Sequence, residues 1–161
     1  MPFDFSLGTP TEPLPGFVGD YTVDFDLGLD SDTNERVFMQ VALYEHEDQP
    51  NPFSLLFGIR RQNLDTFHVG PADFDHATVR ELIPKGQREN TLDKVIESIQ
   101  MLVESVDPFE ITMETYDENL DAEGMKKYSH ISNALAELGY TETLLPRDGT
   151  EDQRDHWSFT K

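Results

Sequence analysis

The residues with the clearest chemical potential lie in the segment IPKGQRENTLDKVI, directly before the strongest helical pattern of the chain. Lys85, Gly86 and Arg88 precede this predicted helix, and Asn90 or Thr91 can cap its start. Free backbone N–H groups and the positive end of the helix dipole attract phosphate at such a position. The five residues therefore form a candidate cofactor-binding site. The alternative is a solvated loop whose bases balance nearby acids.

Carboxylates are a second source of candidate chemistry. Glu110 and Glu114 point outward in the alternating segment FEITMETY, and paired carboxylates can divide acid and base roles between them. No His, Ser or Lys lies near them in sequence, so we assign no catalytic residue and treat both as candidates for contacting a partner. Acidic loops around His46 and His156 could attract hard cations, but they lack EF-hand spacing, and no specific metal site is predicted.

Aromatic residues at the two ends of the chain could also contact a partner. Phe3, Phe5 and Phe17 lie in a Pro- and Gly-rich segment that we predict to be an irregular arm, able to add to a partner's sheet or groove. Trp157, the only Trp, lies in the last predicted strand, and Trp is enriched at interface centres. The alternative for Trp157 is a core position against a helix, because large aromatic residues usually fill cores.

The charge of the chain is strongly negative. The formal net charge is -20, divided as -10 over residues 1–50, -1 over residues 51–100 and -9 over residues 101–161. A field of this sign repels nucleic acid and anionic membranes and attracts basic proteins, so neither nucleic acid nor membrane is expected as a direct partner. Alternatively, the acidic surface keeps the protein soluble or adapts it to high salt.

Length and composition indicate one globular domain. The 161 residues fit a single domain, which we place at residues 20–161 after the irregular arm of residues 1–19. The chain has no Cys, which rules out disulfides and thiolate metal sites. It shows no signal-peptide pattern and no apolar run of membrane-spanning length, so we expect a soluble, cytoplasmic protein.

The first half of the chain has the alternating pattern of strands. DYTVDFDLGL alternates strictly, RVFMQVALYE is apolar on both faces and suggests a central strand, and FSLLFGIRRQ forms a third strand. TFHVG is predicted to form a short fourth strand. The links DSDTNE and QNLD have turn composition, so the pattern predicts an antiparallel meander.

The second half alternates helices and strands. FDHATVRELIP predicts a short helix that Pro84 stops, and the helix of residues 90–106 has an apolar stripe running from Leu92 to Val106. The segment FEITMETY should bury Phe109 and two further apolar residues. A second long helix that Asp121 can cap ends near Gly139, and two short strands follow near residues 140–145 and 156–160. The fold class is α+β, with helices packed on one sheet.

This order of elements resembles the GNAT acetyltransferase superfamily over residues 36–160. The resemblance rests on a meander, a helix whose preceding loop holds Lys85-Gly86, a strand, a helix ending in Leu138-Gly139-Tyr140, and two final strands. Asn119 also matches a position that is often Asn in the family. Such a resemblance implies a GNAT-like fold that grips acetyl-coenzyme A through the loop before the first long helix.

Three features of the family are missing from the chain, one of them being the two helices usual between the first and second strands. Arg88 and Asn90 stand where the loop's close-packing glycines would be, and Leu135 stands where the family carries a Tyr general acid. We therefore predict an acidic, non-enzymatic protein that binds a basic protein partner or joins a larger assembly. A nucleic-acid mimic or inhibitor is the sharper form of this hypothesis. The alternative is a divergent GNAT-like acyltransferase or acyl-coenzyme A binder.

Overall fold

The structure is a computed structural model that describes residues 3–16, 19–46, 49–73, 76–114, 122–145 and 156–161. Within these residues one mixed sheet of eight strands packs with three helices, which confirms the predicted α+β class. The strands are β1 (Phe3–Phe5), β2 (Leu14–Pro15), β3 (Asp20–Asp30), β4 (Glu35–His46), β5 (Gln49–Asn63), β6 (Glu110–Glu114), β7 (Thr141–Leu145) and β8 (His156–Thr160). The helices are α1 (His76–Leu82), α2 (Arg88–Val106) and α3 (Ala122–Glu137).

The sheet consists of two antiparallel parts joined by a short parallel seam. Its strand order is β1-β3-β4-β5-β6-β8-β7, and β2 also pairs with β3. All the described strand pairings are antiparallel except β5 with β6. That seam consists of two residue pairs, Phe53 with Ile111 and Ser54 with Thr112.

The first turn of the meander is built by a local carboxylate. Asp30 Oδ1 accepts hydrogen bonds from the backbone N–H groups of Asp32 and Thr33, at 3.0 and 3.3 Å. Asn34 completes the turn with a φ of 53°, a left-handed conformation that Asn tolerates better than most residues. The predicted turn DSDTNE is therefore confirmed, and β4 lies between β3 and β5 as a central strand.

The predicted fourth strand at TFHVG is wrong. Asn63 Oδ1 accepts hydrogen bonds from the N–H groups of Asp65 and Thr66, both at 2.9 Å, which curls the chain into a turn. Phe67 follows with a φ of 59°, which is incompatible with an extended strand. Val69 forms only an isolated bridge to Gln62, so the described meander has three long strands.

The N-terminal segment is more regular than the irregular arm that we predicted. Phe3–Phe5 and Leu14–Pro15 form the short strands β1 and β2 on the edge of β3. Between them, Ser6 and Gly8 donate backbone hydrogen bonds to β3 carbonyl groups, each at 2.8 Å. The segment therefore extends the sheet of its own chain.

All three helices bury apolar side chains against one face of the sheet. Buried residues from the sheet and from all three helix regions form a single hydrophobic cluster. The cluster includes Val95, Ile99, Leu102 and Val103 of α2, Tyr128, Ile131 and Leu135 of α3, and Leu82 and Ile83 at the end of α1. We call the opposite side of the sheet, which no described helix covers, the open face.

The strand β6 follows its predicted alternation with one exception. Ile111 and Met113 are buried, and Glu110 and Glu114 point to the open face. Phe109 was predicted to be buried but is 63 % exposed, because it lies before the first paired residue of β6. Burial along a strand depends on a covering element as well as on parity, and the start of β6 lacks that cover.

The end of α3 confirms the expected glycine stop. Gly139 has a φ of 97°, and the N–H of Tyr140 donates to the carbonyl of Leu135 at 3.1 Å. The proposed cap residue Asp121 lies outside the described residues. No described helix is long and apolar enough to cross a membrane.

Candidate interaction surface

The predicted cofactor loop is held by contacts within the protein itself. A short 3₁₀ turn, Lys85–Gln87, leads directly into α2, which begins at Arg88. The Arg88 guanidinium donates to the carbonyl groups of Arg80 and Ile83, at 3.2 and 3.4 Å. It therefore caps the end of α1 and is not turned toward a ligand.

Of the remaining residues of this loop, some form hydrogen bonds within the loop and others are exposed to solvent. Thr91 is buried and its hydroxyl donates to the Gln87 carbonyl at 2.8 Å, while Asn90 donates to the Gln87 side chain at 3.1 Å. We expected Asn90 or Thr91 to cap the start of α2, but neither side chain does so. Lys85 is exposed, and a side chain added at Gly86 would meet no atom within 4 Å. Lys85, Gly86 and Asn90 keep the accessibility that an anion site needs.

The pairing of β6 with β8 brings Glu110 and Glu114 next to groups that lie far away in sequence. Ser158 donates its hydroxyl hydrogen to Glu110 Oε1 at 2.8 Å, and Nδ1 of His156 lies 3.2 Å from Glu114 Oε2. A carboxylate–imidazole pair can orient a general base. Ser158, however, is only 7 % exposed and its hydroxyl already donates to Glu110, so this hydroxyl is engaged by the neighbouring carboxylate.

Sequence reasoning missed this cluster because it depends on which strands are neighbours. Glu114 and His156 are 42 positions apart, and the alternation of each strand shows only which face a side chain occupies. No local signal in either strand indicates the pairing. Both carboxylates nevertheless remain half-exposed on the open face, where they can contact a partner.

Trp157 belongs to the core. It is 5 % exposed and stacks on Tyr128 of α3, with ring centroids 5.4 Å apart. This is the alternative weighed from the sequence, in which a helix covers the indole ring. Trp157 therefore supports the packing of α3 on the sheet, and its side chain is not available at the surface.

The aromatic residues of the N-terminal segment are likewise turned inward. Phe3 and Phe5 are half-buried and pack against the hydrophobic cluster, which leaves little of either ring for a partner. Phe17, the third member of the predicted docking group, lies outside the described residues. The carboxylate Asp4 between the two rings is exposed on the open face.

A polar network crosses the middle of the open face. Gln40 donates to Asp24 Oδ1 at 3.2 Å and accepts from Arg60 Nη1 at 3.1 Å, linking β3, β4 and β5. Burial raises the pKa of the Asp24 carboxyl above its ordinary value, and the bond from Gln40 and the nearby Arg36 and Arg60 oppose that effect. The network is therefore a fixed, partly desolvated platform.

Arg36 organises the neighbouring part of the open face. Its Nε donates to Asp26, and its guanidinium lies 4.4 Å from the ring centroid of Phe38. Phe38 is buried although it lies on the open face, and it is not part of the helix-covered cluster. The Arg36 guanidinium thus covers an aromatic ring on the open face.

A groove of about 530 Å³ lies on the free side of the C-terminal half of β5. Its polar lining comprises Glu35, Arg61, Asn63, His68, Asp73 and Thr78, and its apolar lining includes Ile59, Pro71 and Ala72. The sequence does not predict this groove, because its wall is the segment that the pattern predicts to be a fourth strand. A turn in that place leaves the edge of β5 uncovered by a regular strand.

Metal binding finds no support among the described residues. No group of three or more His, Cys, Asp or Glu side chains is arranged to hold an ion in the ranges that the structure covers. The acidic segment that precedes His156, residues 148–155, lies outside those ranges.

Comparison with known proteins finds no match among protein-family models, curated proteins or solved structures.

Proposed function

We propose that this protein is an acidic, non-enzymatic interaction protein that binds a basic protein partner, alone or within a larger assembly, through the open face. The observation that carries the proposal is the charge of that face. Among the residues that the structure describes, its strands present six carboxylates and two guanidinium groups. The carboxylates are Asp4, Asp20, Asp24, Asp26, Glu110 and Glu114, and the guanidinium groups are Arg36 and Arg60.

Several side chains of the open face are already held in place before a partner binds. Its carboxylates stand on paired strands, and several are already held by hydrogen bonds, as Asp24 is by Gln40 and Glu110 by Ser158. A preorganised surface loses little conformational freedom on binding, so more of the interaction energy appears as affinity. Opposite charge additionally accelerates the encounter of the two proteins, and this effect weakens as salt increases.

Charge reversal on the open face tests the proposal. The double variant Glu110→Lys, Glu114→Lys changes the net charge by the same amount as the control Glu104→Lys, Glu137→Lys, whose residues are exposed on α2 and α3. The wild type and the control should retain a basic protein from a lysate at low salt, and the open-face variant should not. A retained protein that is then released by DNA would identify the nucleic-acid mimic as the special case.

Two results would contradict the proposal. If the wild type retains no basic protein at low salt, the proposed function is wrong. Equal loss in both double variants would show that net charge alone matters, without a role for the open face. Binding of purified partner, measured by calorimetry at several salt concentrations, gives the quantitative form of the same comparison.

The second candidate is an acyl-coenzyme A binder with a GNAT-like fold. In its favour, the described elements follow the chain order of a meander, a helix, a strand, a helix and two strands, on which the resemblance rests. The inward bonds of Arg88 and Thr91 speak against it, because they withdraw two of the five loop residues from a ligand.

A thermal shift with acetyl-coenzyme A separates the two candidates. A ligand at about a hundred times its Kd adds about 2.7 kcal/mol of stability. If the loop binds the ligand, Lys85→Ala should lose this stabilisation, and the matched variant Lys94→Ala on α2 should keep it. No shift with the wild type rejects the acyl-coenzyme A candidate.

A further inference from the structure

The groove beside β5 contains hydrogen-bond donors that the protein itself does not use. Arg61 Nη1 makes two long contacts, at 3.4 Å to Asp30 and 3.5 Å to Glu35. Within the described part of the chain, Nε and Nη2 of Arg61 have no partner. The same holds for the ring nitrogens of His68 and for Nδ2 of Asn63. All three side chains line the groove.

The two carboxylates in the groove differ from these donors, because both are already engaged. Glu35 accepts from the Thr33 hydroxyl at 3.0 Å, besides its contact with Arg61. Asp73 Oδ2 accepts from the Thr78 hydroxyl at 2.8 Å. The unused donors of Arg61, His68 and Asn63 can therefore serve an acceptor, and Glu35 Oε1 is the one carboxylate oxygen of Glu35 that no described group bonds. A guanidinium presents a planar pair of N–H groups that matches a carboxylate.

The backbone holds the three donors in place. Asn63 N–H donates to the His68 carbonyl at 2.9 Å, and Phe67 N–H donates to the Asn63 carbonyl at 2.8 Å, which fixes the two ends of the turn together. Gly70 N–H donates to the Arg61 carbonyl at 2.9 Å. The left-handed Phe67 stands in this turn, and strained residues of this kind persist where the surrounding bonds over-determine them. The site is thus preorganised.

The apolar residues that line the groove indicate that the rest of the ligand is apolar. Ile59, Pro71 and Ala72 form an apolar wall, and about 530 Å³ lies within the range of small-molecule sites. From these observations we propose that the groove binds a small organic carboxylate. Its carboxylate lies on Arg61, His68 and Asn63, and its apolar part lies against the wall. None of the loop residues Lys85–Thr91 lines this groove, so it is separate from the predicted cofactor site.

The negative charge of the protein opposes anion binding, locally through Asp30 and Glu35 at 3.4 and 3.5 Å from Arg61 Nη1 and at longer range through distant acids, whose effect salt weakens. At physiological ionic strength charges more than about 8 Å apart are largely screened. Binding of an anion should therefore strengthen, or stay constant, from low to physiological salt. Binding of a basic protein at the open face should weaken over the same range, so the two sites respond to salt in opposite directions.

Benzoate is a suitable probe, with benzamide as its neutral counterpart and inorganic phosphate as an anion without an apolar body. In an amide NMR titration, millimolar benzoate should shift the Asn63, His68 and Gly70 signals saturably, and benzamide should not. Arg61→Gln and His68→Ala should each weaken binding by about tenfold or more, because a charge-assisted hydrogen bond is lost. Lys94→Gln removes a charge on α2 and should leave binding unchanged.

The result that overturns the proposal is the absence of benzoate shifts at the groove. Binding equal to wild type in both groove variants would do the same, and so would shifts by phosphate alone. His68 is exposed, so His68→Ala keeps the test valid if Arg61→Gln fails to fold. Capture of a basic protein should be the same in the groove variants as in the wild type, which keeps this inference independent of the proposed function.

Discussion

Replacing Tyr140 with phenylalanine removes one oxygen atom and tests how the end of α3 is fastened to the start of β6. The Tyr140 ring is 4 % exposed, and its hydroxyl donates to the carbonyl of Pro108, which is itself a buried residue. The variant keeps the apolar ring but leaves this carbonyl without its partner. We expect a loss of about 1–3 kcal/mol in the free energy of unfolding, the usual cost of one unsatisfied buried polar group.

This loss corresponds to a readily measured change in melting temperature. For a domain of this length, 1 kcal/mol lowers Tm by about 2–4 °C, so Tyr140→Phe should melt about 2–12 °C below the wild type. Tyr21→Phe removes the same atom from a ring that is only half-buried, and is expected to melt within about 2 °C of the wild type.

The pH dependence gives a second check of the same bond. Burial raises the pKa of Tyr140 above its ordinary value of 10.0; Lys161 opposes this shift and Asp107 adds to it. Folding therefore favours the neutral phenol. The stabilisation is complete below the unfolded pKa and is lost as pH rises through the folded pKa.

The difference in unfolding free energy between wild type and Tyr140→Phe should thus be constant near pH 7 and shrink above pH 10. The pKa of Lys161 is also raised, first by its hydrogen bond to Asp107, but this group is present in both proteins and largely cancels. Urea denaturation at pH 7 and at several values above pH 9 measures the difference. Equal stability of the two proteins at pH 7 would refute the argument, and so would a difference that grows above pH 10.

Four further substitutions test other parts of the fold by urea denaturation. Ile99→Ala opens a cavity in the fully buried side of α2 and should cost about 2–5 kcal/mol; a cost below 1 kcal/mol would mean that α2 is not packed as described. Gly139→Ala places a side chain at a φ of 97° and should lower the free energy of unfolding by about 1–2 kcal/mol. Gly86→Ala is its control: the added carbon meets no atom within 4 Å and the residue has no positive φ, so this variant should be as stable as the wild type or slightly more stable. Because burial raises the pKa of Asp24, its charged form weakens folding at pH 7, so Asp24→Asn should be at least as stable there. Any advantage should shrink as pH falls and Asp24 takes up a proton; an advantage that grows at low pH would contradict this sign.

Much of the secondary structure was predictable because local patterns determine it. The alternation from Tyr21 to Leu29 predicted β3, and the apolar stripe ending at Val106 predicted α2 to within two residues of its start. The glycine stop at Gly139 was predicted from residue type alone. The exposed Phe109 was not, because parity assigns a face to a side chain but does not show whether another element covers that face.

The candidate site was largely unpredictable for a different reason. Arg88 has the residue type of a phosphate ligand, but its use as a cap on α1 depends on where two helices meet. The contact of Glu114 with His156 depends on strand order, which the spacing of apolar residues does not encode. The groove had one local signal, the turn beginning at Asn63, and the prediction of a strand after that turn concealed it.

The short seam between β5 and β6 has a consequence for the order in which the fold assembles. The hydrogen-bonded pairs of β3, β4 and β5 join neighbours in the chain, whereas Ser54 and Thr112 at the seam are 58 residues apart. Closing so long a loop is entropically costly, and two residue pairs offset little of that cost. We therefore expect the meander to form early and the continuous sheet late, after α2 has packed on the first strands and brought β6 within reach.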